Sequence, residues 1–320
     1  MRIEHSLAGL RAALAGDRQV GFVATMGGLH EGHLALVHEA RNRVGSEGKV
    51  AASIFVNRLQ FAGGEDFERY PRTFERDCML LREAGCDLLF APDEAVMYPE
   101  PQTFIVVPDP ALAGILEGAS RPGHFSGMCT VVMKLFTMVR PTLAMFGAKD
   151  YQQLLLIRHM TRQFALPLQI VAHPTVRESD GLAMSSRNVY LSPAERAEAP
   201  ALNRVLRELV ASVRGLQARQ RQDISPEPPR PPANGAAASV VTVQAPRRTG
   251  DFDAVAALDA LAGAAVDALR ARGWQPDYVS VRRRADLLPP TDEDLRSAEP
   301  LGALAAARLG TPRLLDNIEI

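Results

Sequence analysis

Residues 19–33 have the sequence QVGFVATMGGLHEGH, and this stretch decides the fold. Residues 19–25 form a short apolar run typical of a buried strand, and the glycines that follow predict a turn before the next helical pattern. His30 and His33 stand at the start of that helix, three residues apart and therefore on one face of its first turn. A strand, a glycine turn and a helix in this order are the building unit of α/β proteins.

The same alternation of strands and helices continues through the first half of the chain. Because such alternation favours parallel strands joined by helical crossovers, we predict a doubly wound, Rossmann-like α/β sheet. Ligands of such sheets bind beyond the carboxyl ends of the strands. The predicted strands are 19–25, 49–56, 87–91, 103–107, 142–147 and 168–174. Helices are predicted at 6–15, from the glycine turn through about residue 40, and at 74–84, 129–140 and 151–165.

The second half differs in composition and predicts a smaller α+β domain. Helical patterns occur at 193–214 and 253–272, and strands are expected at 277–283, 302–308 and 313–317. Between the helices, residues 222–249 are rich in proline, arginine, glycine and alanine, a composition that favours a disordered insertion. We therefore expect domains at 1–174 and 175–320.

Composition narrows the class of protein. The 320 residues include 36 basic and 37 acidic side chains, so a net charge of −1 gives no indication of a nucleic-acid partner. Three cysteines are too few and too widely spaced for a disulfide framework. With no apolar run near 18 residues and no signal-peptide pattern, we expect a cytoplasmic protein without membrane contact.

The two histidines predict a phosphate site. Free N–H groups and the positive end of the helix dipole favour anions, and glycines allow a ligand to approach the backbone closely. Imidazoles can donate to phosphoryl oxygens and stabilise charge during transfer. A surface turn or a metal site is the alternative, but a zinc site needs a third protein ligand that no neighbouring motif supplies.

Three further segments carry polar groups that suit a ligand, and two of them directly follow predicted strands. Lys149 and Asp150 open a helix and could meet a phosphate and a ribose, although an ordinary solvated helix start has the same composition. Residues 185–187, Ser-Ser-Arg, offer hydroxyls and a guanidinium for a polyphosphate, or form a plain polar loop. The amides of Asn57 and Gln60 suit a small polar substrate.

Together these segments resemble the pantoate–β-alanine ligase family over almost the whole chain. The stretches that carry the resemblance are TMGGLHEGH (25–33), SIFVNRLQF (53–61), YPRT (70–73), LEGASRPGHFSGM (116–128), FGAKDYQQLLLIR (146–158), DGLAMSSRNVYL (180–191) and AARLGTPRLLDN (306–317). The resemblance implies a two-step ligation: pantoate is adenylated by ATP with release of pyrophosphate, and β-alanine then displaces AMP to give pantothenate. It also implies a homodimer.

Residue roles follow from the same resemblance. The implied catalytic residues are His30, His33, Lys149 and Arg187, with His33 in the proton-donor position. Gln60, Gln153 and Asn57 would bind pantoate, with Gln60 also where β-alanine enters. Mg²⁺ would bridge the phosphates with little help from the protein, Asp77 being the candidate side chain, and no protein metal site is predicted. The implied ATP-binding residues are Met26, Gly27, Gly28, Leu29, His30, Glu31, Gly32, His33, Gly147, Ala148, Lys149, Asp150, Val176, Met184, Ser185, Ser186 and Arg187.

The sequence departs from the family pattern at three positions. Ala24 and Arg58 stand where the family has proline, and Ala148 replaces a glutamate. These departures and the proline-rich segment keep open a catalytically weakened nucleotide-binding homologue. An adenylyltransferase of the same superfamily, which would stop after the first step, is the other alternative, but it gives no reason for Gln60 and Gln153.

Overall fold

The computed structural model describes residues 1–17, 19–61, 67–222, 253–297 and 299–320. The proline-rich segment predicted at 222–249 lies outside these ranges except for its first residue, which ends a helix. Two sheets organise the chain, a parallel sheet in the first half and a small antiparallel sheet in the second. The predicted fold class is therefore confirmed.

Six parallel strands in the order β1-β4-β3-β2-β5-β6 form the first sheet. Apolar side chains alternate between its faces: Phe22 and Phe90 belong to one core, and Val23 and Leu89 to the other. The strands are β1 (Arg2–Glu4), β2 (Val20–Thr25), β3 (Lys49–Ile54), β4 (Leu88–Phe90), β5 (Leu143–Gly147) and β6 (Gln169–His173).

Helices cover both faces of this sheet. Residues of α1, α7 and α8 complete one core, and residues of α2 and α3 complete the other. The helices of this half are α1 (Leu7–Ala13), α2 (Glu31–Val44), α3 (Phe74–Glu83), α4 (Glu94–Met97), α5 (Pro110–Ala113), α6 (Glu117–Ser120), α7 (His124–Val139) and α8 (Tyr151–Gln163). Among the residues described, no helix is both long and apolar enough to cross a membrane.

The strand order places a crevice at the middle of the sheet. From β2 the chain moves outward through β3 to β4, and it later returns to pair β5 on the opposite side of β2. The connections after β2 and β5 therefore leave in opposite directions, and a crevice opens between them at the carboxyl ends of the strands. Thr25 and Gly147 end these two strands, so the segments 26–33 and 147–153 meet there.

Helices α9 (Pro193–Glu198), α10 (Ala201–Gln222), α11 (Ala254–Ala271) and α12 (Asp292–Arg296) belong to the second half. Strands β7 (Gln275–Arg283), β8 (Leu301–Arg308) and β9 (Arg313–Glu319) form its antiparallel sheet in that order. Apolar residues of α10, α11 and the sheet, including Leu206 and Leu269, form a separate core together with Trp274, which directly precedes β7. We propose that the domain boundary falls at 174/175, directly after β6.

Two expected elements differ in the structure. Residues 103–107, expected as a strand, are not in a sheet: Phe104 is 89% exposed, and the Val106 N–H is bonded to the Thr130 hydroxyl instead. The helix expected at 193–214 is two helices, α9 and α10, separated at Pro200, whose ring nitrogen cannot donate to a preceding carbonyl. The three-residue strand β1 was not predicted because its mixed polar pattern carries no strand signal.

Candidate active site

A cavity of about 250 Å³ opens at the carboxyl ends of β2 and β5. It extends from the start of α2 to the start of α8, and the segment 184–187 closes one side. Most of the residues predicted from the sequence line it. These are Met26, His30, Gly32, His33, Gln60, Gly147, Lys149, Asp150, Gln153, Val176, Met184, Ser185, Ser186 and Arg187.

His30 and His33 are held in one tautomer by a reciprocal cap at the start of α2. The Nδ1 atom of His30 accepts the Gly32 N–H at 3.1 Å, and Nδ1 of His33 accepts the His30 N–H at 3.4 Å. An imidazole nitrogen that accepts carries no proton, so the proton of each neutral ring is on Nε2. Both rings line the cavity, 4.1 Å apart between centroids, and offer Nε2–H groups to a ligand.

Burial keeps both rings neutral. It lowers the pKa of His30 to about 3, with further lowering from His33, Lys149 and Arg76. It lowers the pKa of His33 to about 4, and the positive charge of Lys149 adds to the effect. At neutral pH the pair therefore acts as two hydrogen-bond donors rather than as two cations.

The loop between β2 and α2 depends on Asp77. This buried carboxylate accepts the N–H groups of Gly28 and Leu29, both at 2.9 Å, and the Thr73 hydroxyl at 3.0 Å. Gly27 and Gly28 have φ values of 84° and 63°, which favour glycine. Because both carboxylate oxygens already bind the loop, Asp77 serves this turn rather than Mg²⁺, which corrects its candidacy as a metal ligand.

Five of the residues predicted to bind nucleotide do not line the cavity. Leu29 is buried in the core between the sheet and α2, and Glu31 is exposed. The other three contribute backbone geometry: Gly27 and Gly28 form the turn, and the carbonyl of Ala148 accepts a hydrogen bond from Asn317. The sequence prediction therefore included neighbours of the lining residues that do not themselves line the cavity.

Lys149 and Gln153 reach the cavity from the start of α8. The Lys149 ammonium donates to the carbonyl of Met184 at 3.0 Å, and burial lowers its pKa. The neighbouring Gln152 points away, donating to the carbonyls of Leu112 and Ile115. Of the two glutamines, Gln153 alone is placed to meet a substrate there.

The segment 184–187 brings hydroxyls and a guanidinium to the same cavity. The Ser185 hydroxyl accepts the Arg187 N–H at 3.3 Å and caps a short 3₁₀ turn. The Arg187 guanidinium lies 5.9 Å from the centre of the Tyr70 ring. Tyr70 and Arg187 both line the cavity. The Arg187 side chain therefore extends from the segment 184–187 toward the wall that contains Tyr70.

Gln60 is in the cavity wall, but Asn57 is not. The Asn57 side chain is fully buried; its Nδ2 donates to Oε1 of Gln60 and to the Gly127 carbonyl, both at 3.2 Å, and its Oδ1 accepts the Tyr98 hydroxyl at 2.7 Å. The polar atoms of Asn57 therefore bind protein, and its predicted contact with a substrate gains no support from this geometry. Asn57 positions Gln60.

Several residues around the cavity were given no role from the sequence. His124 and Arg121, in the stretch RPGHFSG, line it, as does Arg313 of β9. Arg313 donates to both oxygens of Glu117 at 2.7 and 2.8 Å. Burial alone would raise the pKa of Glu117, but the hydrogen bonds and charge of Arg313 lower it overall. The partner of Arg313, Glu117, is far away in the sequence, so no local pattern links the two residues. The family stretch TPRLLDN is the sequence signal that could have indicated a role for Arg313.

Arg58 lies beside the site without entering it. Its guanidinium is 4.2 Å from the centre of the Phe67 ring and within 3.7–3.8 Å of the carboxylates of Glu94 and Glu68. Arg58 lines a neighbouring surface groove and not the main cavity. This departure from the family pattern leaves the cavity lining intact.

The fold and the cavity define an α/β enzyme that binds a nucleotide-type ligand at the switch point of a parallel sheet. The pantoate-beta-alanine ligase family matches residues 2–319. A pantothenate synthetase of Leptothrix cholodnii is 54% identical and one of Paracidovorax citrulli 52% identical, each over the full length of both chains. The chain belongs to the pantoate–β-alanine ligase family.

Solved structures agree with this assignment. The crystal structure of the enzyme from Thermus thermophilus is 42% identical with a TM-score of 0.79, covering 99% of each chain. The ligase from Francisella tularensis, solved in complex with beta-gamma ATP and beta-alanine, is 28% identical with a TM-score of 0.71, covering 99% of this chain and 97% of that one. The family fold therefore includes both sheets of the described residues.

Proposed function

We propose that this chain condenses pantoate with β-alanine at the expense of ATP, through a pantoyl adenylate held in the described cavity. One observation carries the proposal: the Nε2–H donors of His30 and His33 share a cavity with Lys149 and Arg187. Hydrogen-bond donors and cations that line one partly enclosed cavity suit the transfer of a group from a polyphosphate, because they stabilise its negative charge.

In the first step a carboxylate oxygen of pantoate attacks the α-phosphorus of ATP. A P–O bond forms, the bond to the β-phosphate oxygen breaks, and pyrophosphate leaves. His30 and His33 donate to phosphate oxygens, and Lys149 and Arg187 offset the charge that builds up between two anions. Asp150, Gln60 and Gln153 line the same cavity. In this proposal Asp150 accepts a ribose hydroxyl, and Gln60 and Gln153 orient pantoate by neutral hydrogen bonds.

In the second step the neutral amine of β-alanine attacks the acyl carbon. A C–N bond forms, the bond from that carbon to the adenylate oxygen breaks, AMP leaves, and the amine loses a proton. The segment 184–187 covers the cavity, which supports a role in shielding the adenylate from water until the amine arrives. The chemistry needs positioning and electrostatic stabilisation, without a covalent enzyme intermediate.

We propose Mg²⁺ as the partner of the triphosphate. The described residues contain no group of three or more His, Cys, Asp or Glu side chains able to hold a metal, and Asp77 is committed to its loop. The ion would therefore be held chiefly by phosphate oxygens. No step above depends on a protein ligand to it.

Three further proposals concern the assembly, location and ligands of the chain. We propose that it forms a homodimer, as the resemblance implies, and that it acts in the cytoplasm, with small molecules rather than nucleic acids as its ligands. The near-neutral charge, −1 over 320 residues, supports the last point. Sedimentation equilibrium of the purified chain tests the dimer.

Separation of the half-reactions tests the proposed activity. With ATP, Mg²⁺ and pantoate alone, we expect stoichiometric release of pyrophosphate; added β-alanine should then yield AMP and pantothenate. Pyrophosphate release without amide formation would favour an adenylyltransferase. Absence of release would favour a weakened nucleotide-binding homologue.

A further inference from the structure

A short hairpin after β6 carries the segment 184–187 to the cavity. Its two arms are joined by a hydrogen bond from the Met184 N–H to the Val176 carbonyl at 3.0 Å. They also form an antiparallel bridge between Arg177 and Ala183. The position of this hairpin therefore determines where the segment lies relative to the rest of the cavity.

Arg177 closes the hairpin across its turn and attaches it to β9. Its Nη1 donates to the Gly181 carbonyl at 3.1 Å and to one carboxylate oxygen of Asp316 at 2.7 Å. Its Nη2 donates to the other oxygen of Asp316 at 2.8 Å and to the Asn317 carbonyl at 3.2 Å. A guanidinium that donates to both oxygens of a carboxylate fixes orientation as well as distance.

Asp316 is buried, and each of its carboxylate oxygens has two protein donors. Besides Arg177, it accepts the side-chain amide of Asn203 at 3.0 Å and the Asn317 N–H at 2.7 Å. A buried carboxylate requires such partners, because an unpaired charge in the interior is costly. The hairpin therefore cannot move away from β9 without leaving a buried charge exposed to its own desolvation cost.

The next residue of β9 holds the other wall of the cavity. Asn317 donates to the carbonyls of Ala148 and Lys149, and the Lys149 ammonium donates to the Met184 carbonyl at 3.0 Å. Two consecutive residues of one strand are thus bonded to the loop that contains Lys149 and to the hairpin that carries the segment 184–187. The strand sets the separation of these two walls.

We propose that Arg177 and Asp316 are positioning residues whose ion pair holds the segment 184–187 against the phosphates and over the adenylate. Both side chains line cavities beside the main one, so they act through the hairpin and not on the substrate. Accurate placement matters because a displacement of about 1 Å can cost about 100-fold in rate. The inference rests on the proposed function, which gives this segment its contacts with phosphate.

Arg177→Met and Asp316→Asn each remove one charge of the pair. In both variants kcat/KM for ATP should fall about 10- to 100-fold, whereas the KM for pantoate, which the proposed function assigns to other elements, should change by less than about threefold. The two substitutions change the net charge in opposite directions. A loss that both variants share therefore reflects the lost contact and not an altered electrostatic potential at the phosphates.

The ratio of pyrophosphate released to pantothenate formed is a second readout. With saturating β-alanine the wild-type ratio should be about one, because the covered adenylate reacts only with the amine. In the variants the ratio should exceed one: water attacks the acyl carbon, the bond to the adenylate oxygen breaks, and pantoate, AMP and a proton are released. Partial unfolding lowers the rate without changing this ratio, so the ratio separates positioning from stability.

The double variant Arg177→Met/Asp316→Asn leaves neither charge unpaired in the interior, so it should fold even where a single variant does not. It should keep the reduced kcat/KM for ATP and the raised ratio. Glu198→Gln is the matched control, because it removes a carboxylate that accepts two bonds from Arg272 at 2.6 and 2.8 Å in the same half of the chain. This control should retain wild-type values.

Binding of α,β-methylene-ATP, in which a methylene group replaces the oxygen that would leave, tests the inference without turnover. Its calorimetric Kd should rise about 10-fold in the single and double variants. Pyrophosphate release from ATP and pantoate by the wild-type chain tests the proposed function separately. A double variant with wild-type affinity and a wild-type ratio would overturn the inference, and so would an equal loss in Glu198→Gln.

Discussion

The side-chain amide of Asn317 lies 2.7 Å from the carbonyl oxygen of Lys149 and donates to it. The same amide donates to the Ala148 carbonyl at 2.9 Å. Asn317 is on β9 in the second half of the chain, whereas Lys149 precedes α8 in the first half. One side chain therefore fixes the backbone of the proposed phosphate loop to the antiparallel sheet, and both elements line the cavity.

Asn317→Ala should loosen this loop. Two carbonyls lose their side-chain partner, which costs about 1–3 kcal/mol of folding free energy, and the KM for ATP should rise several-fold as Lys149 becomes less fixed. Urea unfolding and initial rates measure the two effects. Asn42→Ala, at an exposed position on α2, is the control. Wild-type values for both quantities in Asn317→Ala would contradict the role of this contact.

His33→Ala should abolish adenylate formation while leaving the fold intact. The variant loses one Nε2–H donor of the cavity, and removal of one such donor to a developing charge typically costs about 10²- to 10³-fold in rate. Single-turnover release of pyrophosphate measures the loss, and circular dichroism checks the fold. His38→Ala, an exposed histidine on the same helix, should keep the wild-type rate. An unchanged rate in His33→Ala would remove this residue from the mechanism.

Stability should fall on mild acidification. The pKa values of His30 and His33 are lowered to about 3 and about 4 in the folded chain, so the unfolded chain, with pKa values near 6.5, binds protons first. The free energy of unfolding should therefore be unaffected by these groups above pH 6.5 and decrease as the pH falls toward 4. Each histidine accounts for about 1–2 kcal/mol at pH 5.

Urea unfolding at pH 7.5 and pH 5 measures this change. His33→Gln should remove about half of the pH-dependent loss. If the variant His33→Gln lost as much stability between these pH values as the wild-type chain, the titration would not belong to His33.

The parallel sheet was predictable because its signals are local. Buried apolar runs such as 20–25 and 49–54 end in glycine turns or polar residues, and both the strand class and the position of the site follow from them. The role of Asn57 was not predictable, since its partners Tyr98 and Gly127 are far away in sequence. The same holds for Asn317, whose contact with the proposed phosphate loop depends on how β9 packs against the start of α8.

The prediction of a strand at residues 103–107 failed for a related reason. Residues 103–107 have the apolar composition of a strand, but strand formation also requires pairing with a sheet edge, and this segment pairs with neither edge strand, β1 or β6. Composition records the intrinsic preference of a segment and not the availability of a neighbour. Elements whose stability comes from distant partners are therefore the ones that sequence patterns locate least well.

Arg58→Pro, which restores the family residue, should fold and remain active. Arg58 begins a 3₁₀ turn, and Asn57 before it has φ −86° and ψ 109°, a conformation that a following proline allows. The lost contacts with Phe67, Glu68 and Glu94 lie at the surface and contribute less than about 1 kcal/mol each. The free energy of unfolding should therefore change by less than about 2 kcal/mol, and the KM for pantoate by less than about threefold. Urea unfolding and steady-state rates provide the measurements, with Arg58→Ala separating loss of the charge from restraint of the backbone. A large rise in the pantoate KM in both variants would show that the guanidinium acts on the pocket around Gln60 after all.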